Sequence, residues 1–182
     1  MEDALAFDAR VLLQGQKGLI TGASSGIGEA IARRFAAGGA AVGVNYRSGA
    51  DAARKVVEEI RATGAEAIPL QADVASEQEV QSMFRIFHDA FGHIDILVAN
   101  PGIQMDAGRK QYDPRTMAAR DRCEPDRTVS LRAGGDPLLL GTRGESLFQA
   151  VGKIVCMSSV HQVIPWKGHV NYAASKGGVM LM

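Results

Sequence analysis

One stretch limits the possible folds more than any other: Gly18 to Gly39, GLITGASSGIGEAIARRFAAGG. A short apolar run ends in a turn with glycines at 22, 26 and 28, and Ala30, Ile31, Phe35 and Ala36 then recur at helical spacing. Strand, glycine turn and helix in that order place a helix N-terminus, with its unpaired N–H groups and positive dipole end, beside a backbone that can be approached closely. The glycine spacing is one residue longer than the common dinucleotide G-x-G-x-x-G, but the physical tasks are alike. Gly22 permits a sharp exit from the strand, Gly26 admits a pyrophosphate, and Gly28 lets the helix pack on the sheet. Ser24 and Ser25 add hydroxyl donors, and Ile27 shares the turn. The plain alternative is a turn that only joins strand to helix.

The rest of the chain weighs against that alternative. Ala40 to Val44 is a second apolar run, and Ala50 to Thr63 has a helical face of Val56, Val57 and Ile60 that Gly64 ends. A third strand is expected at Ala67 to Leu70. Ser76 to Glu79 (SEQE) forms a capping box, opening a helix that buries Val80, Met83, Phe84 and Phe87 and stops at Gly92. Ile94 to Ala99 makes a fourth strand and Gly152 to Ser159 a fifth, and Asn171 to Met182 begins a helix. Strands that are nearly all apolar and alternate with helices indicate an α/β fold, a doubly wound parallel sheet covered on both faces. One domain over 1–182 is expected, incomplete at the C-terminus.

The chain has 182 residues with 20 basic and 20 acidic side chains, so no charge excess draws it to nucleic acid or an anionic membrane. No apolar run reaches the roughly 18–20 residues of a membrane span. Cys123 and Cys156 lack metal-ligand spacing, so no metal is expected, and with no basic leader at the N-terminus they fit the cytoplasm. The expected partner is a small-molecule substrate. His161, Trp166 and His169 are expected to pack or face solvent, His88 and His93 to lie on the surface, and Met180 and Met182 to face the core. Cys156 is expected to act as a small hydrophobe in a buried strand.

After the second strand stand Asn45, Tyr46 and Arg47. With no carboxylate to repel a 2′-phosphate and a guanidinium to accept one, NADP is favoured and NAD stays possible. Tyr172 and Lys176 are four apart at a helix start and share a face, and an ammonium near a phenol favours the phenolate that a general base requires. Ser159 falls at the carboxyl end of the fifth strand, where open α/β sheets place their ligands.

TGASSGIG (21–28), Asp73-Val74, Asn100-Pro101-Gly102, Ser158-Ser159 and Tyr172-Ala173-Ala174-Ser175-Lys176 together resemble the short-chain dehydrogenase/reductase family, which has a Rossmann fold. Within it, NYRS and SSVHQVIPWKGHVNYAASKGG most resemble the bacterial glucose 1-dehydrogenase group, with a 3-oxoacyl carrier-protein reductase as the sibling alternative. The resemblance implies hydride transfer between a nicotinamide cofactor and a sugar or other secondary alcohol or ketone. It implies Tyr172 as general base in oxidation, Ser159 as the group orienting the substrate oxygen, and Lys176 as the holder of the nicotinamide ribose. Asp73 and Val74 would contact the adenine, Asn100 would join the cofactor site, and the family is usually homo-oligomeric.

Three departures stand out: proline at 101 where the family has alanine, no Val-Asn-Leu-Thr-Gly-like helix, and no strands after the Tyr/Lys helix. Residues 106–150 hold seven of fourteen arginines and three of six prolines and show no countable period. Back-translated with a suitable choice of codons and read one base later, Met117 to Gly135 can yield that missing motif, its asparagine falling at Glu124. The expectation is therefore a truncated chain, frame-shifted and poorly ordered over 106–150, with a remnant that at most binds nucleotide as the non-enzyme alternative.

Overall fold

The computed structural model of the protein describes residues 12–100, 152–164, 167 and 170–181. Five parallel strands, β1 (Lys17–Ile20), β2 (Ala41–Tyr46), β3 (Ala67–Gln71), β4 (Ile96–Ala99) and β5 (Lys153–Cys156), form one sheet in the order β3-β2-β1-β4-β5. Helices α1 (Gly26–Ala37), α2 (Ala50–Ala62) and α3 (Glu77–Phe91) connect the first four, and α4 (Val170–Met180) follows β5 after a 3-10 turn at Val160–Gln162. The order reverses between β1 and β4, so the doubly wound α/β class holds and the ligand crevice is expected at the carboxyl ends of those two strands.

Successive strand residues point to opposite faces, so a sheet covered on both sides needs unbroken apolar strands. Ile20, Val42, Val44, Ile96 and Val98 pack with Ala32 and Ala36 of α1 and Val56, Val57 and Ile60 of α2. Their neighbours Leu19, Leu70, Leu97 and Ala99 pack on the other face with Val80, Met83, Phe84 and Phe87 of α3. Pro69 lies within β3 and is tolerated because β3 is an edge strand among the described residues, where a missing N–H leaves no ladder gap.

Three expectations are corrected. Helix α1 buries Gly28, Ala32 and Ala36, while Ala30 is exposed and Ile31 and Phe35 flank the contact; small residues four apart let the helix lie close on the sheet. Strand β5 is half open, with Ile154 38% and Val155 46% exposed, and Cys156 is only partly buried against the α3 side. Met180 is 53% exposed, away from the core. His93 lies at the surface with 37% of its side chain exposed, and there it bridges the strand starts, between Lys17 Nζ at 3.2 Å and Asp95 Oδ2 at 3.2 Å. Pro101, residues 106–150, Trp166, His169 and Met182 lie outside the described residues.

Candidate active site

Side-chain hydrogen bonds fasten the carboxyl ends of the central strands together. Thr21, fully buried, donates from Oγ1 to Val98 O at 3.2 Å and accepts the Asn100 N–H at 2.9 Å, while Asn100 Nδ2 reaches Thr21 O at 3.3 Å. Asn45, also buried, accepts the Gly22 N–H at 3.2 Å and donates to Leu70 O at 3.1 Å and Ala72 O at 3.2 Å. Thr21 and Asn45 thus anchor the β1–α1 turn to β4 on one side and to β3 on the other. The sequence alone does not single out Thr21, and in it Asn45 stands out only as a neighbour of Arg47. The available signal was a polar residue directly continuing an apolar strand, since buried amides and hydroxyls must find partners.

The turn itself needs its glycines. Gly22 and Gly26 sit at φ +60° and +58°, where side chains are strained. A Cβ on Gly28 would come 2.3 Å from Gly22 O and 2.8 Å from Asn100 Nδ2. The close approach at Gly28 is therefore to the turn and the end of β4. Ser25 is the extended N-cap of α1, and its side chain makes no capping bond. The N-terminal N–H groups of a three-turn helix are thus left without a side-chain cap at the cleft, and the space a Cβ would fill on Gly26 is open.

Arg47 follows β2 and Asp73 follows β3, and they meet with Nη1 and Oδ2 3.8 Å apart. The Asp73 N–H donates to Glu79 Oε2 at 2.8 Å, and its Oδ1 accepts the Ala75 N–H at 2.9 Å. The capping box is therefore half formed: Ser76 Oγ accepts the Glu79 N–H at 3.4 Å, but the Glu79 carboxylate reaches past Ser76 to Asp73. The Ser76 N–H turns to Asp73 O instead.

On the other side of the crevice, β5 runs into Met157, whose N–H donates to Ala99 O at 2.8 Å. Lys176, 4% exposed, donates from Nζ to Met157 O at 3.0 Å and stands 5.6 Å from the Tyr172 ring centre. The i, i+4 spacing does bring these two side chains together. Ser159 caps the 3-10 turn, its Oγ accepting the His161 N–H at 3.3 Å, and the His161 ring meets the Tyr172 ring edge to face at 5.9 Å. Ser158 Oγ donates to Gln162 Oε1 at 2.5 Å.

One cleft of about 500 Å³ runs along these strand ends, lined by the expected cofactor residues other than Gly26 and Gly28 and by Tyr172 and Lys176. Ser158 lines it, while Ser159 lies beside it. Among the described residues no group of three or more His, Cys, Asp or Glu could hold a metal, and no helix is long and apolar enough to cross a membrane. An uncapped helix N-terminus with an open glycine beside it, and a guanidinium at the end of β2, can offer donors to an anionic group such as a phosphate.

The model of the family described as short chain dehydrogenase matches residues 16–182. The chain belongs to the short-chain dehydrogenase/reductase family. It is 39% identical to a 3-oxoacyl-(acyl-carrier-protein) reductase of Synechocystis, over 92% of this chain and 65% of that protein. It is 36% identical to 3beta-hydroxysteroid dehydrogenase 1 of Eggerthella lenta, over 93% of this chain and 63% of that protein. Among solved structures, a short chain dehydrogenase from Burkholderia cenocepacia in complex with NADP superposes with a TM-score of 0.82 at 34% identity, covering 92% of this chain and 65% of that one. The chain thus spans just under two thirds of the length of the relatives it matches.

These matches correct two sequence expectations. The glucose 1-dehydrogenase 2 of Bacillus subtilis is 32% identical, not nearer than the reductase or the steroid enzyme. The family match takes in 106–150 with the rest and gives no sign of a frame shift. NAD(P)-dependent oxidoreduction is the family's chemistry, and the choice between the two nucleotides is not fixed by membership.

Proposed function

We propose that this chain is a single nucleotide-binding domain that transfers hydride between NADP, in preference to NAD, and a ketone or secondary alcohol. The observation that carries this is the convergence on one cleft of an uncapped helix N-terminus, the Arg47 guanidinium and the Tyr172–Lys176 pair. The pyrophosphate lies on the turn from Gly22 through Ser24, Ser25, Gly26 and Ile27 to Gly28. Arg47 takes the 2′-phosphate, Asp73 and Val74 the adenine, and Asn100, Tyr172 and Lys176 the nicotinamide ribose.

Bound NADPH supplies the hydride. Tyr172 gives its phenolic proton to the substrate oxygen in reduction and takes it back in oxidation. Lys176, with its ammonium 5.6 Å from the Tyr172 ring centre, is a fixed positive charge beside the phenolate that forms. Ser159 Oγ accepts from the His161 N–H, so its own proton is available to hold the substrate oxygen. A 3-oxoacyl thioester is the favoured substrate class, supported by the 39% identity to the Synechocystis reductase.

The test follows NADPH absorbance with purified chain and an acetoacetyl thioester, set against a 3-ketosteroid and against NADP with glucose. Consumption with the thioester is expected to be fastest, and Tyr172→Phe should lower it about 10²–10⁴-fold. Turnover unaffected by Tyr172→Phe removes the assigned acid, and failure to bind either nucleotide removes the whole assignment.

A further inference from the structure

The corner of the cleft that would read the ribose holds an ion pair, not a lone cation. Arg47 stands just past β2, and Asp73 one residue past Ala72, whose N–H donates to Tyr46 O at 3.0 Å. The backbone therefore brings the two together wherever β2 and β3 pair. Among the described residues, the Ala75 N–H holds the Asp73 carboxylate at Oδ1, and the bond from the Asp73 N–H to Glu79 Oε2 holds its backbone. Oδ2 is thereby turned toward Arg47 Nη1, 3.8 Å away. Asp73 is the better fixed of the two, 32% exposed against 53% for Arg47, so the guanidinium is the partner that moves.

We propose that Asp73 is a specificity-determining residue, which sets how strongly the site prefers NADP over NAD by holding Arg47. The inference rests on the assignment of Arg47 to the 2′-phosphate. A nucleotide with a bare ribose leaves the Arg47–Asp73 pair intact. One with a 2′-phosphate must draw Arg47 off Asp73. The pair thus subtracts from NADP binding alone, and it pulls a site built for the phosphate toward use of both cofactors.

Asp73→Asn separates this role from contact with the adenine. The amide oxygen still accepts the Ala75 N–H and can still accept from an adenine amine, while the charge is gone. The readout is the ratio of NADH to NADPH dissociation constants, measured by nucleotide fluorescence with no substrate present, so any uniform loss of adenine contact cancels. Exposed pairs couple weakly, so Asp73→Asn is expected to raise the ratio about threefold to fivefold. Arg47→Ala should lower the ratio about tenfold or more, as expected for loss of a charge-assisted bond to phosphate. In the Arg47→Ala background, Asp73→Asn should change it less than about twofold, because no cation remains to be released.

An Asp73→Asn ratio that is unchanged or lower while Arg47→Ala behaves as expected overturns the inference alone. An equal rise with and without Arg47 also overturns it, since the carboxylate then acts by repulsion and not by holding Arg47. If Arg47→Ala leaves the ratio unchanged, the 2′-phosphate assignment fails, and this inference fails with it. Asp73→Ser, which keeps an oxygen for the Ala75 N–H, repeats the test should the Asn variant misfold.

Discussion

Strands β4 and β5 run side by side and pair residue for residue, yet their surroundings differ. Leu97 is partnered with Ile154 across the ladder, but Leu97 is 2% exposed and Ile154 38%. β4 lies inside the sheet and feeds both core clusters, while β5 is the edge among the described residues and has both faces partly open. The nucleotide half of the cleft is positioned by packing, with Thr21 and Asn45 fastening strand ends that the core already holds. The other half is positioned by polar bonds that reach back to it: Met157 N–H to Ala99 O and Lys176 Nζ to Met157 O. One crevice can therefore be built by two different means, dense apolar contact on one side and a few directional bonds on the other.

The register pair gives the strongest test of that contrast. Leu97→Ala should destabilise the chain by about 2–5 kcal/mol through the cavity it leaves, while Ile154→Ala should cost less than about 1.5 kcal/mol because its side chain is part exposed. Urea unfolding of both variants checks this, and equal losses would break the comparison.

The next effect separates the two serines at the end of β5. If Ser159 holds the substrate oxygen, Ser159→Ala should lower turnover about 10²–10³-fold, the usual result of removing one donor from a developing oxyanion. Ser158→Ala should lower it far less, although Ser158 is the serine that lines the cleft. Steady-state rates with NADPH decide it, and the reverse ranking would move the substrate-orienting role to Ser158.

On the packed side, Gly28→Ala should cost about 1–3 kcal/mol, because the new methyl meets the Gly22 carbonyl, which cannot move without dragging the anchored turn. NADPH affinity should fall with it, since the same shift disturbs the helix N-terminus. A thermal melt and a nucleotide titration on the one variant check both, and an unchanged melt would show the turn to be looser than its bonds to Asn45 and Asn100 imply.

The packed half was legible in the sequence and the other half much less so. Period and composition located β1 to β4 and named the buried faces of α2 and α3, because an apolar stripe is a direct record of burial. They misjudged α1, where small residues at 28, 32 and 36 form the contact and the larger Ile31 and Phe35 only flank it. Hydrophobicity scales weight size, and close helix approach demands the opposite. β5 and Met180 were misread for a related reason: Ile154, Val155 and Met180 are apolar, but half-open surroundings leave no mark in a run of apolar residues. Of the site, the glycine turn and the Tyr172–Lys176 spacing were visible because they are local. The Arg47–Asp73 pair, the struts at Thr21 and Asn45, and the reach of Glu79 to Asp73 join residues far apart in sequence or bypass the expected partner, and no period records that.

The smallest expected effect tests whether polar links matter where packing already rules. Arg33 of α1 bonds both Glu29 on its own helix and Glu59 on α2, tying the two helices that cover one face. The hydrogen bond from Arg33 holds the Glu59 carboxyl below the usual carboxylate value, and the same pairing raises Arg33. A carboxyl lowered on folding takes up its proton more readily in the unfolded chain. Its contribution is therefore present above the ordinary carboxylate value and fades as the pH falls toward the lowered one. Both side chains are well exposed, so Glu59→Gln should lower Tm by no more than about 2 °C at pH 7. The gap from the unsubstituted chain should close as the pH falls from the ordinary carboxylate value, about 4.3, toward the lowered one. Melts across that range give the answer: a gap that stays constant assigns the loss to something other than charge, and one several times larger means α1 and α2 depend on this link more than their buried contacts imply.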